Sequence, residues 1–411
     1  LDRLDVHNRR RRLELAIEGV KASPRISERN KKALLDFCNY CFAEGLTVDR
    51  VEHLLRCLKK TAEIFWKDFE EATKDDIVDL VRRIESRRIS AWTKHDYRVT
   101  LKKFYKWLKG NGEEYPEEVK WIKTRNAKTK KLPEELLTER DVEKLIKAAA
   151  NPQMKAIVAT LWETGMRAGE LLNLRIRHIE PEEKYARLIV DGKTGMRRVI
   201  ALFAWPYLIQ WLNIHPYRDD PDAPLWINVE GKPLLYPALR KKLMELGRKA
   251  GIKKKVNPHQ FRHSRATYLS RHLTEAQLSQ YLGWVQGSRM PQIYVHMSSR
   301  DLVEPLLSLY GLGESGKPKQ PKLKPTICWK CRRLNPADAG VCTSCGSYLN
   351  LETAIKVDEE RKRKLEELST KLEEERNLRR EYEKRLVRVE KLLDEFLKLR
   401  GDVMRSISNS T

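Results

Sequence analysis

Apolar residues recur at helical spacing along nearly all of this 411-residue chain, and the pattern gives way to strand-like alternation only once. A chain of this kind folds as a mainly α protein with one small sheet. From about Ser27 to Gly110 the helical pattern is continuous. Thr73-x-x-Asp76 has the form of a capping box ahead of the apolar run Ile77, Val78, Leu80, Val81 and Ile84. A later helix carries Tyr97, Leu101, Phe104, Tyr105 and Leu108 on one face and Lys94, Arg98, Lys102, Lys103 and Lys106 on the other, and stops at Gly110. These signals predict a helical bundle with a basic exterior.

Gly112, Pro116 and the basic run Lys123, Arg125, Lys128, Lys130 and Lys131, ending near Pro133, then read as a linker. Thr138-x-x-Asp141 caps a new helix containing Val142, Leu145 and Ile146. The alternation follows, at Tyr185 to Val190 and Arg198 to Leu202, around Asp191-Gly192-Lys193-Thr194-Gly195. It is a hairpin signal with Lys193 at the tip. Helical patterns resume to residue 312, and a Pro/Lys-rich stretch follows at 313–326. The expected divisions are a basic arm at 1–24, read as a solvated arm or helix face, a helical domain at 25–123, a linker at 124–137 and a second domain at 138–312. After the second linker come a cysteine module at 327–350, a helical tail at 351–400 and a disordered end at 401–411.

Lys and Arg number 82 against 58 Asp and Glu, a formal charge of +24, which points to a polyanionic partner and foremost to nucleic acid. No apolar run is long enough to span a bilayer and no secretory segment opens the chain, so a cytoplasmic location is expected. The chain opens on Leu1 rather than Met, which leaves its native start open. Four of the seven cysteines form Cys328-x-x-Cys331 and Cys342-x-x-Cys345. Two thiolate knuckles at this spacing make a closed tetrahedral shell that suits structural Zn²⁺ and leaves no coordination position for catalysis. A segment with so little core depends on such a metal to fold. Its basic flank, Lys330, Arg332 and Arg333, suits either DNA contact or a plain spacer. Cys38 and Cys41 lie on the apolar stripe of Leu34, Leu35 and Phe37 and read as core, and no disulfide framework is needed.

In the tail, Leu365, Leu372, Leu386 and Leu393 share one heptad position, and Leu368, Tyr382, Val389 and Phe396 share the other. Glu375 and Arg379 interrupt this seam, which weakens the zipper and suits setting its register or orientation. The pattern predicts either a self-associating coiled coil or a single solvated helix packed on its own protein.

Five groups in the second domain carry chemistry. Glu163-Thr164-Gly165-Met166-Arg167-Ala168-Gly169-Glu170 puts an arginine at the start of a helix after a glycine turn, and Lys193 sits on the hairpin. His259-Gln260-Phe261-Arg262 places His and Arg on one helix face. Leu282-Gly283-Trp284 and Tyr294-Val295-His296 complete the set. Singly, each suits a surface pair, a turn or a packed side chain. In this order and spacing they resemble the tyrosine recombinase family across roughly residues 25–312. Trp284 stands where most members have His, and the segment from there to Tyr294 is more polar than usual.

The resemblance implies a SAM-like helical core-binding domain joined to a catalytic domain, with Arg167, Lys193, His259, Arg262, Trp284 and Tyr294 as the catalytic set. It implies duplex DNA as partner, a tetramer on that DNA and no cofactor for catalysis. The chemistry of these residue types agrees. A tyrosine can attack a phosphodiester and hold it as a covalent ester. Planar guanidiniums stabilise the non-bridging oxygens. Lys193 suits the acid for the leaving oxygen, His259 the base for the tyrosine proton, and Glu170 a group orienting Arg167. Trp284 offers only an N–H donor. Tyr281, in an amphipathic run, reads as packing, and Tyr310 lies beside the linker. No Walker loop and no two-metal carboxylate cluster is present, which argues against a metal-dependent nuclease. The added C-terminal modules resemble those of archaeal plasmid or virus integrases, so integration and excision of a mobile element is the expected role. Chromosome-dimer resolution, type IB topoisomerase activity and non-catalytic DNA binding are the alternatives.

Overall fold

The structure is a computed structural model that describes residues 4–110, 114–124, 135–192, 195–285, 287–288, 290–295 and 323–408. It divides into two compact units, Leu1–Lys324 and Pro325–Thr411. Among the described residues no helix is long and apolar enough to cross a membrane.

The first unit opens with α1 (Arg9–Lys21), α2 (Glu28–Ala43), α3 (Val48–Ala62), α4 (Lys74–Ser86), α5 (Ala91–Leu108) and the short α6 (Glu117–Lys120). Their apolar faces meet in one core, with Phe104 edge-on to both Phe37 and Phe69 at 5.2 and 5.0 Å. Cys38, Cys41 and Cys57 are buried in it, and burial pushes all three thiols up. The Thr73–Asp76 capping box forms at the start of α4. Asn30 ties the loop before α4 to α2, donating to the Lys67 carbonyl and accepting from the Phe69 N–H.

The basic stretch read as a solvated arm or helix face is largely α1, whose Leu13, Ala16, Ile17 and Val20 meet the bundle core. Ahead of it, Val6 is buried, its carbonyl accepts from Tyr236, and Leu4 donates to Asn173. The arginine run concealed this because its apolar partners sit at helical spacing on the opposite face. Past Gly112, inside the stretch expected as helical domain to residue 123, α6 carries Val119, and Ile122 follows it into the same core. Arg125, Lys128, Lys130, Lys131 and Pro133 lie outside the described residues.

The second part of this unit is built around α8 (Pro152–Thr164), most of whose residues are buried. Around it lie α7 (Glu139–Ala148), α10 (Trp205–Asn213) and α12 (Pro258–Leu269). After α8 come α9 (Ala168–Leu172) and an antiparallel sheet in the order β1 (Ile179–Pro181), β2 (Ala186–Gly192), β3 (Gly195–Ala201). The hairpin predicted from alternation is β2–β3, paired from Ala186↔Ala201 to Gly192↔Gly195. β1 was not expected, since its three residues are too short to show a period. Buried Glu163, on α8, accepts the N–H groups of Leu202, Phe203 and Ala204, which joins the end of β3 to the start of α10. Burial raises its pKa even against those donors. The remaining helices are α11 (Tyr236–Lys249), α13 (Glu275–Leu282) and α14 (Met290–Val295).

The second unit holds a small two-stranded sheet, β4 (Thr326–Ile327) with β5 (Leu334–Asn335), and then one helix, α15 (Leu351–Ser408). At 1.5 Å per residue its 58 residues extend about 87 Å.

Candidate active site

Four helix ends bring the predicted residues together. Asn257 caps α12 through the Gln260 N–H, and Pro258 fills the first turn, so His259, Arg262 and His263 follow in helical phase. α13 ends at Gly283 in the left-handed conformation (φ 63°). That turn aims two successive carbonyls at two guanidiniums: Leu282 O accepts from Arg262 at 2.7 Å, and Gly283 O accepts from Arg167 at 3.2 Å. Arg262 also donates to Gly165 O at 2.9 Å, at the left-handed end of α8. Its guanidinium is buried, which lowers its pKa to about 10, with the charge of Arg167 adding to the effect. Two cations this close, with donors already committed to carbonyls, form a site of concentrated positive charge.

Glu170 organises the second side. It is buried, and its carboxylate accepts from the Arg167 backbone and side chain, each at 2.8 Å. Arg197 of β3 completes the bridge at 3.1 and 2.8 Å. Burial alone would raise the Glu170 pKa, but the hydrogen bond and charge of Arg197, joined by those of Arg167, hold it below the usual value.

Tyr294, on α14, is buried and stacks on Trp284 with centroids 5.4 Å apart and planes 10° from parallel. The Arg262 guanidinium lies 5.6 Å from the Trp284 ring centroid. Burial pushes the Tyr294 phenol up to about 12, with the positive charge of Arg262 opposing the rise. The phenol is hydrogen-bonded to His263 Nδ1, and His263 Nε2 stands 2.8 Å from His259 Nε2. His259 is exposed.

Arg167, Arg262, Trp284 and Tyr294 therefore share one cluster, and His259 joins it one residue removed. Lys193 lies outside the described residues. Tyr281 is fixed away from the nucleophile position, donating to the Glu163 carbonyl at 3.0 Å, and its burial raises it to about 12. Tyr310 is outside the described residues.

Two residues of the cluster escaped the sequence analysis. His263 stands between His259 and Tyr294, where His259 was expected to meet the tyrosine directly. Its signal was the i,i+4 spacing from His259, which puts both rings on one face. Arg197 shares a strand face with buried Val199 and Ala201, so a charge in an apolar phase was the clue.

In the second unit, the sulfurs of Cys328, Cys331, Cys342 and Cys345 all lie within 4.8 Å of one another. Cys328–Cys345 and Cys331–Cys342 are each 3.6 Å apart, too long for disulfides. The edge of a tetrahedron of zinc thiolates is about 3.8 Å. Buried Asn335 braces the second knuckle, donating to Cys342 Sγ and accepting from the Thr343 N–H.

Residues 135–300 match the model of the phage integrase family, a segment that contains all six predicted catalytic positions. Tyrosine recombinase XerA of Pyrococcus furiosus is 29% identical over 278 residues, 66% of this chain and 92% of that protein. Tyrosine recombinase XerC of Lactobacillus leichmannii is 28% identical over 214 residues, 49% of this chain and 71% of that one. Among solved structures, the Tn1549 transposon integrase in complex with transposon right end DNA superposes with a TM-score of 0.55 at 15% identity, covering 68% of this chain and 99% of that one. XerH bound to palindromic difH substrate gives 0.52 at 19% identity, covering 75% and 98%. At these identities the structures establish a common fold. The segment that gathers the arginines, the tryptophan and the tyrosine is thus the one that matches the phage integrase family, and the relatives it resembles are tyrosine recombinases.

Proposed function

We propose that this protein is a site-specific recombinase that cuts and rejoins duplex DNA through Tyr294, in the integration and excision of a mobile element. The observation that carries it is the convergence of a buried tyrosine, hydrogen-bonded to a histidine, with two guanidiniums pinned on the same helix end.

The Tyr294 oxygen attacks the phosphorus, the bond to the 5′ oxygen breaks, and a 3′-phosphotyrosine forms. With its pKa near 12 the phenol needs a base at neutral pH. His263 takes the proton at Nδ1 and passes its Nε2 proton to His259, which meets solvent. Arg167 and Arg262 turn guanidinium N–H groups to the non-bridging oxygens, where charge gathers in the transition state. Trp284 stacks against Tyr294, orienting the ring, and donates its indole N–H to the phosphate. Lys193, delivered by the β2–β3 hairpin, protonates the departing 5′ oxygen. Reversal with a different 5′ hydroxyl rejoins the strands, and the ester energy kept in the tyrosyl bond makes ATP unnecessary.

The helical bundle and the catalytic domain grip the duplex from two sides, and the active assembly is a tetramer working on DNA in the cytoplasm. The four thiolates hold a structural Zn²⁺ and α15 self-associates as a coiled coil. Denaturing electrophoresis of an end-labelled duplex carrying candidate sites, incubated without ATP and in EDTA, tests the chemistry. A covalent adduct is expected with the native chain and none with Tyr294→Phe; tight binding with no adduct on any duplex would leave a non-catalytic DNA-binding role. Recombination of a two-site plasmid separates this reading from a topoisomerase, which would only relax it. Strand exchange confined to two sites on one replicon would point to dimer resolution.

A further inference from the structure

α15 exposes a stripe that nothing in its own unit covers. Leu365, Leu368, Leu372, Tyr382, Leu386 and Val389 are each 53 to 68% exposed, at spacings of a heptad seam. Glu375 and Arg379 occupy the two middle layers of that seam and are exposed too. Arg379 is paired in cis with Glu383 at 3.4 Å, a solvent-facing contact worth little and easily redirected.

From the order of these layers we infer that α15 pairs with α15 of a second copy of the chain in antiparallel orientation, centred on Asn377. This rests on the reading that the tail self-associates, and adds which way the partner runs. In a parallel pair each layer meets itself, so Glu375 would face Glu375 and Arg379 would face Arg379 in consecutive layers. In an antiparallel pair one heptad position meets the other. Mirrored about Asn377, Glu375 meets Arg379 of the partner and Arg379 meets its Glu375. The same mirror sets Leu372 against Tyr382, Leu368 against Leu386 and Leu365 against Val389. All three apolar pairs close on both sides of two opposite-charge layers with no shift of register. Beyond Leu365 and Val389 the mirror sets Arg361 against Leu393, so the apolar seam ends there.

The flanking positions are mixed and lie at the exposed rim, where such pairs are worth little. Antiparallel pairing gives one attractive contact, Glu390 with Lys362, and two repulsive, Arg376 with itself and Lys371 with Arg385. Parallel pairing gives one of each, Arg385 with Glu390 and Lys371 with Arg376. The seam charges discriminate more strongly, and they favour opposite chain directions. The consequence is long-range. The two Leu351 helix starts, each beside a four-cysteine module, stand about 78 Å apart at 1.5 Å per residue, instead of side by side. Such a strut links two copies held on separate DNA segments.

The test uses the full chain with a photo-crosslinking residue substituted at Leu365, and maps intermolecular adducts by mass spectrometry. Adducts centred on Val389 of the second copy are expected. Adducts centred on residue 365 of the second copy would overturn the orientation while keeping self-association. A monomer in sedimentation, or adducts only within one chain, would overturn both. Charge swaps give an independent readout of the dimer Kd. Glu375→Arg should weaken dimerisation by about tenfold or more, because both middle layers become like-charged. Adding Arg379→Glu should restore it to within about threefold, because the antiparallel pairs are re-formed with signs exchanged. In a parallel pair the middle layers are like-charged in all three proteins, so absence of a rescue pattern would overturn the proposal.

Discussion

Glu170 is a buried carboxylate shared between Arg167 and Arg197, and removing it leaves two cations without their counter-ion. Glu170→Ala should destabilise the first unit by about 3 kcal/mol or more, measured by urea unfolding. Because its folded pKa lies below 4.5, its contribution to stability is complete above that value and is lost as pH falls through the lowered one. The gap between the native chain and Glu170→Gln should therefore narrow in acid. The neighbouring histidines make a kinetic prediction. His263→Ala should slow adduct formation by about a hundredfold at neutral pH. The residual rate should then rise about tenfold per pH unit, since it depends on the scarce free tyrosinate below a pKa near 12. A histidine with a packing role only would lower the rate without changing its slope. His259→Ala, one step further from the phenol, should cost less.

At the scale of elements, the end of α13 holds the guanidiniums of both Arg167 and Arg262. A Cβ on Gly283 would come 2.7 Å from Arg197 Nη1, in a backbone conformation that other residues rarely adopt. Gly283→Ala should therefore displace Arg197 and tilt the carbonyls that pin Arg167 and Arg262. We expect adduct formation to fall at least about tenfold while DNA binding is nearly unchanged, read by gel shift and denaturing gel on the same samples. The cysteine module behaves as an element of its own. Its four thiolates should bind about one Zn²⁺ per chain, and a strong chelator should release the metal and expose the thiols to alkylation, leaving unfolding of the first unit unaffected.

The whole molecule is a polycation of net charge +24, nearly all of it carried by the first unit. Binding to a duplex site should accordingly fall by about a thousandfold between about 50 and about 200 mM salt, measured by fluorescence anisotropy. The long α15 adds little to that affinity by itself, because its charges alternate in sign. On the proposal that it joins copies, its removal should lower recombination between two sites while leaving cleavage of a single site intact.

The helical class, the single hairpin, the capping boxes at Thr73 and Thr138 and the four-thiolate module were all legible in the chain, because each depends on a local period or a fixed short spacing. The positions of Arg167, Arg262, Trp284 and Tyr294 were legible through resemblance to a family, and their convergence was not. Only tertiary structure decided that His263 rather than His259 meets the tyrosine, since helical phase puts both on one face and the placement of α14 selects between them. It alone recruited Arg197, through a strand register that brings β3 beneath Glu170. It also chose a helix, α1, over a free arm for the basic opening stretch, because an amphipathic helix with a heavily basic outer face declares its buried side only when there is a core to receive it.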